Sequence, residues 1–163
     1  MGVVGTEGRL IEDPMGVAFA EARRAQALGE VPVGAAIARG GQVIASAGNR
    51  TRTDGDPTAH AEMLAIRAAA RAVGNFRLDD CDLYVTLEPC AMCAGAISHA
   101  RLRRLYFATP DPKGGAVEHG PRFFGQATCL HAPEVYGGIR EREAAQMLQL
   151  FFRGKRDGVS EES

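Results

Sequence analysis

Asp82 to Glu88, DLYVTLE, is an apolar run bounded ahead by Asp79-Asp80 and behind by Pro89, and it reads as a buried strand. Directly behind it, CAMCAGAISHA (Cys90–Ala100) predicts a short helix, and RRLYFA (Arg103–Ala108) a further strand. Upstream, PVGAAIARGGQVIASAGN reads as a hairpin of two apolar strands around Gly40-Gly41. A polar loop follows from Asn49 to Asp56, and then an alanine-rich helix from Thr58 to Val73. A hairpin followed by alternating helix and strand implies an α/β architecture, a mixed sheet with helices on both faces.

The ends of the chain fit around that sheet. Asp13-Pro14 predicts a helix start, with Asp as cap and Pro at the first helical position. Met15, Phe19, Ala22 and Leu28 then lie along one apolar stripe, and Gly29 closes the helix. A last helix carries Ala144, Met147, Leu148, Phe151 and Phe152 at helical spacing. Between them, Thr109 to Gly138 is rich in Gly and Pro and predicts a long irregular segment, of the kind that often carries function. The expected organisation is one domain over residues 13–156, a flexible N-terminal tail over 1–12 and a flexible acidic tail over 157–163.

With 163 residues, 45% of them hydrophobic and 24% charged, the chain can bury one core as a globular domain. A net charge of −1 argues against indiscriminate coating of nucleic acid, yet leaves room for a local basic patch. Arg50 with Arg52, Arg101 with Arg103 and Arg104, and Arg153 with Lys155 and Arg156 are the clusters that could supply one. No apolar stretch is long enough for a bilayer, and no segment reads as a signal peptide, so no membrane role is expected. The opening MGVVGT matches the short myristoylation pattern without a neighbouring basic cluster, and is read as a chance match. Cys81, Cys90, Cys93 and Cys129 show no disulfide-framework spacing, which points to reduced thiols in a cytoplasmic protein.

Cys90-x-x-Cys93 sits where a strand ends and a helix begins. A redox dithiol, a structural zinc clip and part of a catalytic zinc site all use such a pair there. His60 and Glu62, at the start of the preceding helix, favour the third. Residues two apart on a helix lie about 200° apart around its axis, so they serve one site only if the helix points its N-terminus at it. Two helix N-termini facing one pocket would bring converging ligands, positive dipole ends and free N–H groups. One imidazole and two thiolates leave the fourth position of zinc open, and an open position means catalysis on an activated water. Glu62 is then the proton carrier rather than a ligand. A lone histidine is commonly a packing or surface residue, and that is the reading for His99, His119 and His131, with Cys81 and Cys129.

His60-Ala61-Glu62 followed by Pro89-Cys90-x-x-Cys93 matches the H-x-E…P-C-x-x-C signature already established for zinc-dependent nucleobase deaminases. EVPVGA (Glu30–Ala35), GNR (Gly48–Arg50), DPTAHAE (Asp56–Glu62), LYVTLEPCAMCAGA (Leu83–Ala96), DPKGGA (Asp111–Ala116) and FFRGKR (Phe151–Arg156) extend the likeness. Together they resemble the bacterial tRNA-specific adenosine deaminases of the cytidine/deoxycytidylate deaminase superfamily, over residues 13–156. The resemblance implies a three-layer α/β/α fold on a mixed five-stranded sheet, one zinc ion per subunit and a homodimer. It implies hydrolytic deamination of adenosine to inosine at the wobble position of a tRNA anticodon loop. His60, Cys90 and Cys93 would hold zinc, Glu62 would move protons, Asn49 would contact the target nucleoside and Val31 would pack near the base. Asp111 and Lys113 would touch flanking nucleotides from one side, Phe152 and Arg153 from the other.

Two other readings remain at this stage. One is a deaminase of a free nucleobase or nucleoside, guanine or cytosine, on the same scaffold, since the zinc chemistry is shared. The other is a non-catalytic zinc module that binds RNA or protein, against which Glu62 speaks, because a purely structural site has no use for it.

Overall fold

A computed structural model describes residues 13–159 together with Val3–Val4 and Leu10–Ile11. The rest of the two expected tails, and of the opening MGVVGT, lies outside the described residues. Strands β1 (Val3–Val4) and β2 (Leu10–Ile11) pair antiparallel. Then come α1 (Pro14–Ala27), the hairpin β3 (Gly34–Arg39) and β4 (Gln42–Gly48), α2 (Ala61–Val73), β5 (Cys81–Leu87) and α3 (Ala91–Ala100). β6 (Arg104–Thr109), a single 3-10 turn (Phe123–Gly125), β7 (Glu134–Gly137) and α4 (Glu141–Val159) complete the order.

The main sheet has five strands in the order β4-β3-β5-β6-β7. β3 runs antiparallel to both neighbours, and β5, β6 and β7 run parallel. This is the mixed sheet expected, covered on both faces. Alternate side chains along a strand point to opposite faces, and each face has its own partners. Ala35, Ile37, Leu83, Val85, Leu105 and Phe107 pack with Ala61, Ala65 and Ala69 of α2 and Ile97 of α3. Ala36, Tyr84, Tyr106 and Ala108 turn the other way, against Met15, Ala18 and Phe19 of α1 and Ala144 and Met147 of α4.

α1 approaches the hairpin so closely that two strand positions have no room for a side chain. A Cβ on Gly34 would lie 1.9 Å from the Ala18 carbonyl oxygen, and one on Gly48 would lie 2.6 Å from that of Glu21. Glycine here is a packing requirement.

The structure departs from the sequence reading in several places. Asp13 occupies the cap position of α1, but its side chain makes no capping bond; the carboxylate lies 3.7 Å from Arg140 at the entrance to α4. α2 begins at Ala61, not Thr58: Asp56 accepts from the N–H and hydroxyl of Thr58, holding that stretch as a turn. The segment from Thr109 to Gly138 is not irregular throughout, since it contains the fifth strand. β7 is four residues of an edge, with no apolar alternation to announce it. Its register comes from tertiary partners, Glu134 with Arg104 at 3.1 Å and Tyr136 stacked on Tyr106 at 5.1 Å between ring centroids.

Gly34→Ala should lose about 3 kcal/mol of stability, because the backbone oxygen it meets cannot rotate away. Gly154→Ala, inside α4 with nothing within 4 Å of the new methyl, should gain up to about 1 kcal/mol. Urea unfolding midpoints of the two variants check both signs.

Candidate metal and active site

Since β3 alone runs against its neighbours, its start and the C-terminal ends of β4, β5 and β6 meet at one edge of the sheet. Ligand sites of α/β sheets form at such edges. Val31 and Val33 enter from before β3, Asn49 from after β4, Leu87 and Glu88 from the end of β5, and Asp111 from after β6.

His60 and Cys90 are the residues immediately before α2 and α3, both in extended conformation at the N-cap. An N-cap side chain ordinarily satisfies a free N–H of its own helix. Neither of these does. Both turn instead to each other: His60 Nδ1 lies 3.6 Å from Cys90 Sγ and 3.5 Å from Cys93 Sγ. The three ligand atoms lie within 4.8 Å of one another. Zinc bond lengths at tetrahedral angles put neighbouring N and S ligands about 3.6–3.8 Å apart, so these separations are the edges of a zinc site. With a borderline nitrogen and two sulfurs as donors, the residues fit zinc with one position left for another ligand.

Because His60 lies outside the helix, the 200° that separates residues two apart within it does not keep His60 and Glu62 from one pocket. Glu62 is in the first turn of α2, 4% exposed, and outside the three-ligand cluster. Burial raises its carboxyl, against the backbone N–H and Cys93, which lower it. A hydrogen bond with Cys93 holds the Cys90 thiol down at about 4, against burial and with help from His60. The same bond, together with burial, pushes Cys93 up, and its bond to Cys90 raises His60. The pair and the imidazole thus share protons in a space that a cation would take over.

Above these groups is a cavity of about 370 Å³ lined by Val31, Asn49, Thr51, His60, Glu62 and Asp111, among others. Asn49 Oδ1 is buried there without a hydrogen-bond partner among the described residues. A buried acceptor left open costs stability, so it marks a place for a donor from a ligand. Beyond Leu87 and Asp111 the cavity continues into a groove against α4, lined by Lys113, Leu148, Gln149 and Phe152. Farther along, Lys155 and Arg156 line it as well. Arg153 is exposed and does not line the groove. Of the arginine clusters, Arg50, Arg103 and Arg104 are paired with Asp54, Asp82 and Glu134, while Lys155 and Arg156 face the groove.

Sequence reading missed two buried carboxylates at the rims. Glu30, fully buried, accepts the Arg52 N–H and ties the Asn49–His60 loop to the body. Glu88, 2% exposed, receives the N–H groups of the loop after β6. Burial alone would raise its carboxyl, but those N–H groups and His119 outweigh it and hold it low. The available signal was an acid at the end of an apolar run, just ahead of Pro89. His119 is accordingly a loop-fixing residue, its Nδ1 2.8 Å from Glu88.

The family profile for the cytidine and deoxycytidylate deaminase zinc-binding region matches residues 9–109. A tRNA-specific adenosine deaminase from Agrobacterium fabrum is 59% identical over 142 residues, 87% of this chain and 93% of the relative. One from Bacillus subtilis is 43% identical, covering 83% and 84%. A solved structure from biochemical and structural studies of A-to-I editing by tRNA:A34 deaminases superposes with a TM-score of 0.82 at 58% identity, covering 83% of this chain and 98% of that one. A guanine deaminase from Bacillus subtilis superposes with a TM-score of 0.57 at 41% identity, over 60% and 62%. With its ligand cluster, sheet edge and a likeness over most of the chain in agreement, the chain belongs to the cytidine and deoxycytidylate deaminase zinc-binding family, among the tRNA-specific adenosine deaminases.

Proposed function

We propose that this chain is a zinc-dependent hydrolase that converts adenosine to inosine at the wobble position of a tRNA anticodon loop. The observation that carries the chemistry is the cluster of His60 Nδ1 with the sulfurs of Cys90 and Cys93, and buried Glu62 beside it, at the floor of an open cavity. The observation that supports an RNA substrate is the groove running from that cavity to Lys155 and Arg156. The relatives point the same way.

His60, Cys90 and Cys93 would hold zinc, which when bound supplies a Lewis-acidic position that makes water nucleophilic near neutral pH. The chain's own residues do the rest. Val31 lines the wall against which the adenine would lie, and Asn49 offers its open acceptor to the nucleoside. Glu62 takes a proton from the attacking water and gives one to a ring nitrogen, which makes C6 electrophilic. Glu62 then takes the remaining proton from the oxygen now bound to C6 and passes it to the departing amine; the bond from C6 to the amino nitrogen breaks, ammonia leaves and inosine remains. A raised carboxyl suits that work, since it both takes and returns a proton.

An anticodon loop already splays its bases, so the target reaches the floor of the cavity without opening a duplex. Asp111 and Lys113 would meet nucleotides on one side of it. Phe152 offers an aromatic face on the other, with Lys155 and Arg156 toward the phosphates. The reading extends to a homodimer in the cytoplasm. No helix among the described residues is long and apolar enough to cross a membrane. Deamination of a free base is the second reading, favoured by the guanine deaminase likeness.

Incubated with an adenosine-bearing anticodon stem-loop, the purified chain should yield inosine and ammonia, with no turnover of free guanine or cytosine. Turnover of a free base but not the RNA would replace this assignment with the second reading. Glu62→Ala should keep its zinc and lose about 10³-fold in kcat. Cys90→Ala should lose both zinc and turnover, as read by metal analysis of each variant. Zinc missing from the Glu62 variant would show the carboxylate to be a ligand.

A further inference from the structure

We propose that Glu88 is a positioning residue, whose carboxylate sets the loop after β6 so that Asp111 and Lys113 stand at the mouth of the cavity. This rests on the function proposed above and adds to it how one rim of the substrate site is built.

Residues 110–122 form no helix or strand. Four of their backbone donors, on Asp111, Val117, Glu118 and His119, converge on one anion belonging to the protein. Oε1 of Glu88 accepts the Asp111 N–H at 3.0 Å and lies 2.8 Å from His119 Nδ1. Oε2 accepts the N–H groups of Val117, Glu118 and His119 at 3.1, 2.9 and 3.2 Å. Consecutive N–H groups aimed at one oxygen form a nest of the kind that ordinarily holds a phosphate. Here the anion is a side chain rooted at the end of β5, so the loop is tied to the strand that leads into Cys90.

The tie passes directly to the groups that face the substrate. Asp111, held at its N–H by Glu88, accepts the N–H groups of Lys113 and Gly114 on Oδ1 at 3.1 and 3.0 Å. Asp111 and Gly114 line the cavity, and Lys113 lines the groove. Gly115 completes the fit: a Cβ there would lie 2.5 Å from Glu88 Oε2 and 2.5 Å from the Asp111 carbonyl oxygen. A loop that must wrap a carboxylate this tightly has no space for a side chain at that point.

Glu88→Gln keeps the shape of the side chain but turns an NH2 toward N–H donors. In the full zinc-loaded chain, amide exchange over residues 111–119 should quicken by about tenfold, with α2, α3 and the main sheet unchanged. KM for the anticodon stem-loop should rise about tenfold, with kcat within about twofold and zinc content intact. Unchanged exchange or unchanged KM overturns the proposal. So does faster exchange throughout the chain, or loss of zinc, since either would make Glu88 a general stabilising residue. Should the Gln variant fail to fold, Gly115→Ala, which pushes the loop off Glu88, must show the same split of KM from kcat. Wild-type protein that makes no inosine would count against the proposed function, while the exchange measurement still decides whether Glu88 holds the loop.

Discussion

One imidazole nitrogen stands 3.5–3.6 Å from two sulfurs, from helix starts 30 residues apart, and the rest of the site is arranged around that approach. His60 and Cys90 give up the ordinary task of an N-cap side chain to make it, at a cost of about 1 kcal/mol for each helix. In exchange, the N-terminal ends of α2 and α3 face the cavity with their positive dipole ends. That surrounding suits thiolates, a carboxylate and the charge that develops on a substrate. A metal ion would replace the protons that Cys90, Cys93 and His60 now share, which ties the folding of this corner to the ion.

The convergence needs the helices close to the sheet, and small residues bring them there. α2 meets β3 and β5 through Ala61, Ala65 and Ala69, all fully buried, so its axis lies low and His60 reaches the end of β5. On the other face the backbone of α1 rests on Gly34 and Gly48. A bulkier residue at any of these places would move a helix start by a distance comparable with a metal–ligand bond. The precision of the site is therefore held by packing far outside it.

The rims are held differently. Loops cannot be fixed by apolar packing alone, and here buried carboxylates do it: Glu30 for the loop before α2, Glu88 for the loop after β6. An unpaired buried carboxylate would be costly, but one saturated by backbone N–H groups is a strong, directional tie. The groove beyond is positive at Lys113, Lys155 and Arg156 although the chain carries a net charge of −1, because Arg50, Arg103 and Arg104 are spent on local acids. Local distribution, not total charge, suits this surface to RNA.

Much of this could be read in advance where it is local. The hairpin around Gly40-Gly41, the buried strand ahead of Pro89 and the amphipathic last helix follow from periodicity and turn residues, and the ligand residues from their spacing. What failed to show was whatever depends on partners distant in sequence. β7 has no pattern of its own and exists through Arg104 and Tyr106; Asp13 has the right position for a cap and the wrong neighbour, Arg140; Glu88 looks like a strand end until its donors arrive from residues 111–119. By itself, then, the order of residues determined the four helices, four of the five strands of the main sheet and the identity of the donors, since those depend on each residue's own backbone and chemistry. The tertiary structure alone decided that the donors meet, which rims surround them and which cations line the groove, because distances between remote segments are set only when both faces of the sheet are packed.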